Sequence, residues 1–206
     1  MRFEAVVFDL DGTLIDSEPA KRAAFFALFP ADCGSSVGEV LRAEPQASRY
    51  EIIPRVIARL EARGVRLPPG QDAVERIEAY GRAALAGAAA APELPGATAL
   101  LRALQGRCRV YVSSGTPEPD VRALLEARGW RGLVDGLFGH PRDKSRTLAQ
   151  LVRDHGGRAA RLAVVGDGDS DERAAAANGC AFFRIRAATD LAALLPRLAA
   201  ESDVRV

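Results

Sequence analysis

Asp9 and Asp11 stand two residues apart at the end of a short apolar run, and Gly12 and Thr13 follow them. In extended chain the two carboxylates project to one side while Phe8 and Leu10 point away. Carboxylates about 5 Å apart repel by roughly 3 kcal/mol at an effective dielectric near 20. More acid stands in Gly166-Asp167-Gly168-Asp169-Ser170-Asp171. A hard divalent cation with oxygen ligands relieves such crowding, and Mg²⁺ suits a site holding only a few carboxylates. Ser113, Ser114 and Lys144 add hydroxyls and an ammonium, groups that suit anionic oxygens, as does glycine-rich backbone. Metal, carboxylates and an anion pocket together point to phosphoryl transfer. Of the 28 basic residues only Lys21 and Lys144 are lysines. In so arginine-biased a chain, a retained lysine suggests a need for a compact ammonium.

These groups act together only if the fold gathers them. Apolar runs end at several of them: Ala5–Phe8 before Asp9, Val110–Val112 before Ser113, Leu162–Val165 before Gly166-Asp167. Gly136–Gly139 is a weaker run ahead of Lys144, and Ala181–Ile185 comes late. Continuous apolar runs suit strands buried on both faces of a parallel sheet. Helical patterns alternate with them. One begins at Thr116-Pro117, read as N-cap and first helical residue, and stops at Gly129. Others run through Leu148, Leu151 and Val152, from Asp171 to Asn178, and through Leu191, Leu194, Leu195 and Leu198. The alternation predicts an α/β fold, a Rossmann-like parallel sheet flanked by helices, with the site at the carboxyl ends of the strands.

Residues 17 to about 90 break the rhythm with helical patterns alone. Ser17-Glu18-Pro19 opens a helix that ends before Pro30. Ser36–Glu39 and Ser48–Glu51 both read as capping boxes. Ile53, Val56, Ile57 and Leu60, then Val74, Ile77 and Tyr80, keep helical spacing; Pro54 should kink its helix or shift its start. Pro92–Gly96 reads as a hinge. The expected domains are a core of residues 1–15 and 92–206 and a smaller all-helical domain of 16–91.

Composition narrows the function. A net charge of +1 argues against a basic nucleic-acid clamp, and 6% aromatics argues against a base-stacking platform. Cys33, Cys108 and Cys180 are odd in number and far apart, which fits small core fillers in a reducing cytoplasm better than disulfides or zinc. Acidic residues inside the first apolar stretch argue against a secretory signal, and the alanine-rich stretch Ala83–Ala91 is too short to span a bilayer.

Val7-Phe8-Asp9-Leu10-Asp11-Gly12-Thr13-Leu14 resembles the DxDGT signature of the haloacid dehalogenase superfamily, with Val112-Ser113, Lys144 and Gly166–Asp171 resembling its second, third and fourth motifs in order. The resemblance implies an α/β core with a helical cap inserted between the first and second motifs. It implies that Asp9 is the nucleophile, that Asp11 acts as acid and then base, and that Ser113 and Lys144 bind phosphoryl oxygens. It implies Mg²⁺ held by Asp9, the Asp11 carbonyl and Asp167, with Asp171 paired to Lys144 or ordering metal-bound water. Gly12 would leave room for the phosphoryl group and Thr13 would support the turn; Ser113, which ends the strand, fits the second motif better than Ser114, which reads as a turn or substrate-side hydroxyl. Asp11 favours a phosphatase over a dehalogenase, which needs no acid at a leaving oxygen. The implied activity is hydrolysis of a small phosphate monoester, such as phosphoglycolate or a sugar, nucleoside or polyol phosphate. The expected partner is that metabolite, not nucleic acid or membrane, and the protein is expected to be a monomer or homodimer.

Alternatives remain at this level: a sugar-phosphate mutase, a non-catalytic phosphate-binding regulator, and a phospho-receiver domain. Asp167, Asp169 and Asp171 mimic a calcium loop, but Glu172 and Asn178 occupy its required Gly and Glu positions. Asp169 reads as a solvated loop residue, and Lys144 has the competing reading of a solvated helix-start charge. His140 and His155 are read as a loop and a helix-end residue, and Trp130 as packing against a helix end. Arg49, in Ser48-Arg49-Tyr50, resembles a segment found in some family caps; it would bind an anionic substrate group or simply open an ordinary helix.

Overall fold

In the computed structural model, which describes residues 2–45, 47–67, 72–187 and 189–199, the chain divides into two compact units. One is formed by the residues up to Asp16 and from Pro92 onward, the other by Ser17–Ala91.

The first unit is built on a five-stranded parallel sheet of order β3-β2-β1-β4-β5. Its strands are β1 (Ala5–Phe8), β2 (Arg109–Pro117), β3 (Gly136–His140), β4 (Leu162–Gly166) and β5 (Ala181–Arg184). All residues of β1 and β4 are buried, as their unbroken apolar runs require. In register, Phe8 lies beside Val112 on one side and Val165 on the other. Asp9, Ser113 and Gly166 therefore follow at the same level of three adjacent strands.

The helices of this unit are α5 (Ala97–Leu104), α6 (Glu118–Ala127), α7 (Lys144–Asp154), α8 (Asp169–Ala177) and α9 (Leu194–Ala199). Leu148 and Leu151 of α7 and Ala174 and Ala175 of α8 cover Ala5, Val7, Leu162 and Val164. The Pro95-Gly96 pair marks only a hinge in the sequence, yet a helix follows it at 97–104. Gly96 at φ +90° instead opens a helix there, and Leu100, Leu101 and Leu104 bury its apolar face. Trp130 is buried past the end of α6, and its indole N–H donates to Thr98 Oγ1 at 2.8 Å.

The second unit holds α1 (Glu18–Ala27), α2 (Gly34–Ala43), α3 (Arg49–Ala62) and α4 (Ala73–Ala90). Phe25, Phe29, Val37, Ile53, Val56, Leu60 and Tyr80 meet in its core. The Glu51 carboxylate accepts the Ser48 N–H at 2.9 Å, the half of the predicted box that anchors α3. The Ser36 box does not form. A 3-10 turn at Ala31–Cys33 runs into α2, so Ser36 lies inside the helix, where its hydroxyl accepts from Arg63 at 2.8 Å, and Glu39 pairs with Arg59 and Arg63. Pro54 does not displace the start of α3. It lies on the exposed face of that helix, away from Ile52, Ile53 and Val56, which are buried. Val74 keeps helical spacing but points outward, because α4 buries Arg76, Tyr80, Ala84 and Ala88 instead.

Candidate active site

The site is assembled from strand ends. Asp9 leaves β1 with its N–H bonded to the Val165 carbonyl at 2.9 Å, so β4 fixes the backbone of the first carboxylate. The chain then turns back: Leu14 and Ile15 N–H both donate to the Leu10 carbonyl. Gly12 makes the turn possible. Its φ of +74° is unfavourable for a side chain, and a Cβ there would lie 2.4 Å from Asp167 Oδ2.

Lys144 is the first residue of α7, whose N-cap Asp143 accepts from the Arg146 N–H. The helix start aims the ammonium inward, and its side chain is only 16% exposed. Nζ lies 3.1 Å from Asp9 Oδ1 and 2.8 Å from Asp171 Oδ1. The solvated reading of Lys144 is therefore excluded. Asp171, in the first turn of α8, is itself 2% exposed, and its Oδ2 is buried without a hydrogen-bond partner among the described residues. Gly166 permits this approach, since a Cβ there would come 2.4 Å from the Asp171 Cγ.

Asp9, Asp167 and Asp171 each offer a carboxylate oxygen, all within 4.8 Å of one another. Burial pushes the Asp9 carboxyl up, opposed by Lys144 and reinforced by Asp171, Asp11 and Asp167. Asp167 is also raised, chiefly by burial. Burial alone would lower Lys144, but Asp9 and Asp171 outweigh it and hold the ammonium charged. Such a charge excess, with one buried orphan oxygen, fits a hard divalent cation in donor type and number.

Asp9 Oδ1 accepts both the Leu10 N–H at 2.8 Å and Lys144, while Oδ2 takes no hydrogen bond among the described residues. Ser113 is buried, and its hydroxyl makes no hydrogen bond among the described residues. The Ser114 hydroxyl donates to Asp11 Oδ2 at 3.1 Å and accepts the Thr116 N–H at 3.0 Å. Thr13 Oγ1 donates to Asp167 Oδ1 at 3.2 Å. The sheet thus gathers Asp9, Asp11, Gly12, Thr13, Ser113, Ser114, Lys144, Asp167 and Asp171. Arg49 lies in the helical unit, with its guanidinium 5.0 Å from the Tyr80 ring centroid and Gly81 leaving space beside it.

Two further residues serve this cluster. Thr116 is not the N-cap of α6. It still belongs to β2, Pro117 precedes the helix, and Pro119 stands in its first turn. Its hydroxyl instead donates to Asp11 Oδ2 at 2.8 Å. Arg184, hidden in an apolar run, donates from Nη1 to the Asp167 carbonyl at 2.9 Å and pairs with Asp169 and Glu172. Asp169 is therefore ion-paired rather than simply solvated.

The acid-rich site stands at the carboxyl edge of a Rossmann-like parallel sheet. The model of the haloacid dehalogenase-like hydrolases matches residues 3–179, and the chain belongs to that family. It is similar to a phosphoglycolate phosphatase of Synechococcus elongatus, with 32% identity over 180 residues, 84% of this chain and 78% of the relative. It is also similar to the plasmid CbbY protein of Cupriavidus necator, 31% identical over 140 residues, and spans 63% of its own length but 55% of that relative's. Among solved structures, CbbY from Rhodobacter sphaeroides in complex with phosphate is 25% identical, with a TM-score of 0.64 over 87% of this chain and 84% of that one. Among the described residues no helix is long and apolar enough to cross a membrane.

Proposed function

We propose that this hydrolase is a Mg²⁺-dependent phosphatase of small phosphate monoesters that works through an aspartyl-phosphate on Asp9. The observation that carries the reading is the asymmetry of that carboxylate. Lys144 and the Leu10 N–H hold Oδ1, and Oδ2 is left for attack. Oδ2 bonds to phosphorus as the ester P–O bond breaks, and Asp11 passes its proton to the leaving oxygen. Asp11 then takes a proton from water, whose oxygen bonds to phosphorus while the P–O bond to Asp9 breaks. Inorganic phosphate leaves and both aspartates return to their starting states. Ser113 and Lys144 bind the phosphoryl oxygens in both steps. Asp9, Asp167 and the Asp11 carbonyl would hold Mg²⁺, with Asp171 beside them, and the bound cation would supply neutralisation of the phosphoryl charge.

The similarity to a phosphoglycolate phosphatase supports a phosphate monoester. The helical unit acts as a cap that sets specificity, and Arg49, which forms no ion pair among the described residues, binds an anionic group of the substrate. Hydrolysis of p-nitrophenyl phosphate with and without Mg²⁺, for wild type and Asp9→Asn, tests the chemistry. Metal-dependent phosphate release that disappears in the variant is expected. If wild type is inert here and on a panel of small phosphate esters, the hydrolytic reading fails. Retention of a stable phosphoenzyme would favour a mutase.

A further inference from the structure

We infer that Thr116 is a positioning residue that, with Ser114, locks the Asp11 carboxylate into the orientation its acid/base role requires; this rests on the proposed role of Asp11. Two hydroxyls converge on a single oxygen of that carboxylate, Thr116 Oγ1 at 2.8 Å and Ser114 Oγ at 3.1 Å from Oδ2. Asp11, Ser114 and Thr116 are 6%, 2% and 7% exposed, so water does not compete freely for these bonds. The Thr116 N–H donates to Ser114 Oγ, which fills a lone pair of that oxygen and directs its hydroxyl proton toward Asp11. Donors on one oxygen stop the carboxyl from flipping about its last torsion, so a proton carried by Asp11 is kept on a defined side.

The backbone is shaped for this arrangement. The β2–β3 register shifts between Ser113 and Pro117, and Pro117 pairs again with His140. The close return needs Gly139, where a Cβ would fall 2.6 Å from the Thr116 carbonyl and 2.4 Å from the Glu118 nitrogen. The extension of β2 past the phosphoryl-binding Ser113 thus carries Thr116 back to Asp11.

A general acid matters in proportion to the basicity of the leaving oxygen, whereas a structural defect slows every substrate alike. The test is single-turnover release of leaving groups from a series of aryl and alkyl phosphates, with Mg²⁺ and the full-length protein. The variants are wild type, Asp11→Asn, Thr116→Val, Thr116→Ala and Thr116→Ser. Asp11→Asn should steepen the dependence of rate on leaving-group pKa. Thr116→Val and Thr116→Ala should steepen it in the same direction, losing about tenfold or more on alkyl esters, and Thr116→Ser should restore the wild-type slope. A wild-type slope in either truncated variant, or a uniform loss across all leaving groups, overturns the inference while leaving Asp11 as the acid. A wild-type slope in Asp11→Asn overturns the acid role itself, and the inference falls with it.

Discussion

The Lys144 ammonium bridges Asp9 and Asp171, with Nζ 3.1 Å from one carboxylate and 2.8 Å from the other. Asp9 follows β1, and Lys144 and Asp171 belong to α7 and α8, so a single cation ties three parts of the chain together at the edge of the sheet. Buried charge of this kind persists only when paired, and removal of the ammonium leaves two buried carboxylates uncompensated.

Lys144→Met should therefore reduce turnover by about a hundredfold or more, the scale on which one oriented donor to a developing charge acts. It should also lower the melting temperature without metal, by more at pH 8 than at pH 5, because the Asp9 carboxyl, raised by burial to about 8, carries more of the charge that Lys144 compensates at the higher pH. Lys144→Arg should not restore turnover, since a planar guanidinium cannot occupy the place of a point charge between two carboxylates. Kinetics and melting curves at the two pH values check both parts. Full activity in the arginine variant would mean that any positive charge suffices.

Asp9 gives a pH prediction of opposite character. Burial raises its pKa from the usual 3.8 to about 8, with Lys144 opposing and the neighbouring aspartates adding to the rise. Between those values the folded chain binds a proton that the unfolded chain does not, so this group erodes stability as pH rises through the window. Asp9→Asn removes the erosion. The metal-free variant should melt above metal-free wild type, and the gap should widen from pH 5 to pH 8, at about 2–4 °C for each kcal/mol recovered. A gap that stays constant with pH would show that the Asp9 charge is not the source.

What could be read from the sequence follows from how locally each feature is encoded. β1 and β4 are unbroken apolar runs that stop at Asp9 and Gly166-Asp167, so both the strands and their chemical ends were visible. Thr116 imitates a helix cap because Pro117 follows it, although it belongs to β2. Its true place depends on the next residue, Pro117, pairing with His140 of β3, which is distant in sequence. Arg184 was invisible for a similar reason: its partner carbonyl, Asp167, becomes a neighbour only when β4 and β5 pair. Helix α5 was lost because Pro95-Gly96 signals a turn whether or not a helix follows. The capping signal at Ser48 worked and that at Ser36 failed, because a preceding 3-10 turn already supplied the helix start.

Gly12 couples backbone conformation to the carboxylate cluster, and Gly12→Ala should damage both. A φ of +74° carries a strain of about 1 kcal/mol for alanine, and its Cβ would drive into Asp167 Oδ2. Asp167 would be displaced from Thr13, its hydrogen-bond donor, and from its fellow carboxylates. The apparent affinity for Mg²⁺, read from the metal dependence of turnover, should fall at least tenfold, beyond a loss of a few degrees in melting temperature. An unchanged metal dependence would show that Asp167 can move without consequence.

Arg184 acts on Asp167 through the backbone, since Nη1 donates to its carbonyl at 2.9 Å. The partners of its other nitrogen, Asp169 and Glu172, are exposed, and ion pairs of that kind contribute little to stability. The carbonyl bond is thus the one that matters. Arg184→Met keeps much of the aliphatic length and removes the donors. It should leave the fold nearly as stable as wild type but weaken Mg²⁺ about tenfold, the lower end of what groups supporting a metal ligand contribute. Asp169→Asn and Glu172→Gln, which preserve the carbonyl bond, should leave metal dependence near wild type. If these surface variants weaken Mg²⁺ as much as Arg184→Met, then long-range charge, and not the geometry of the Asp167 backbone, tunes the site.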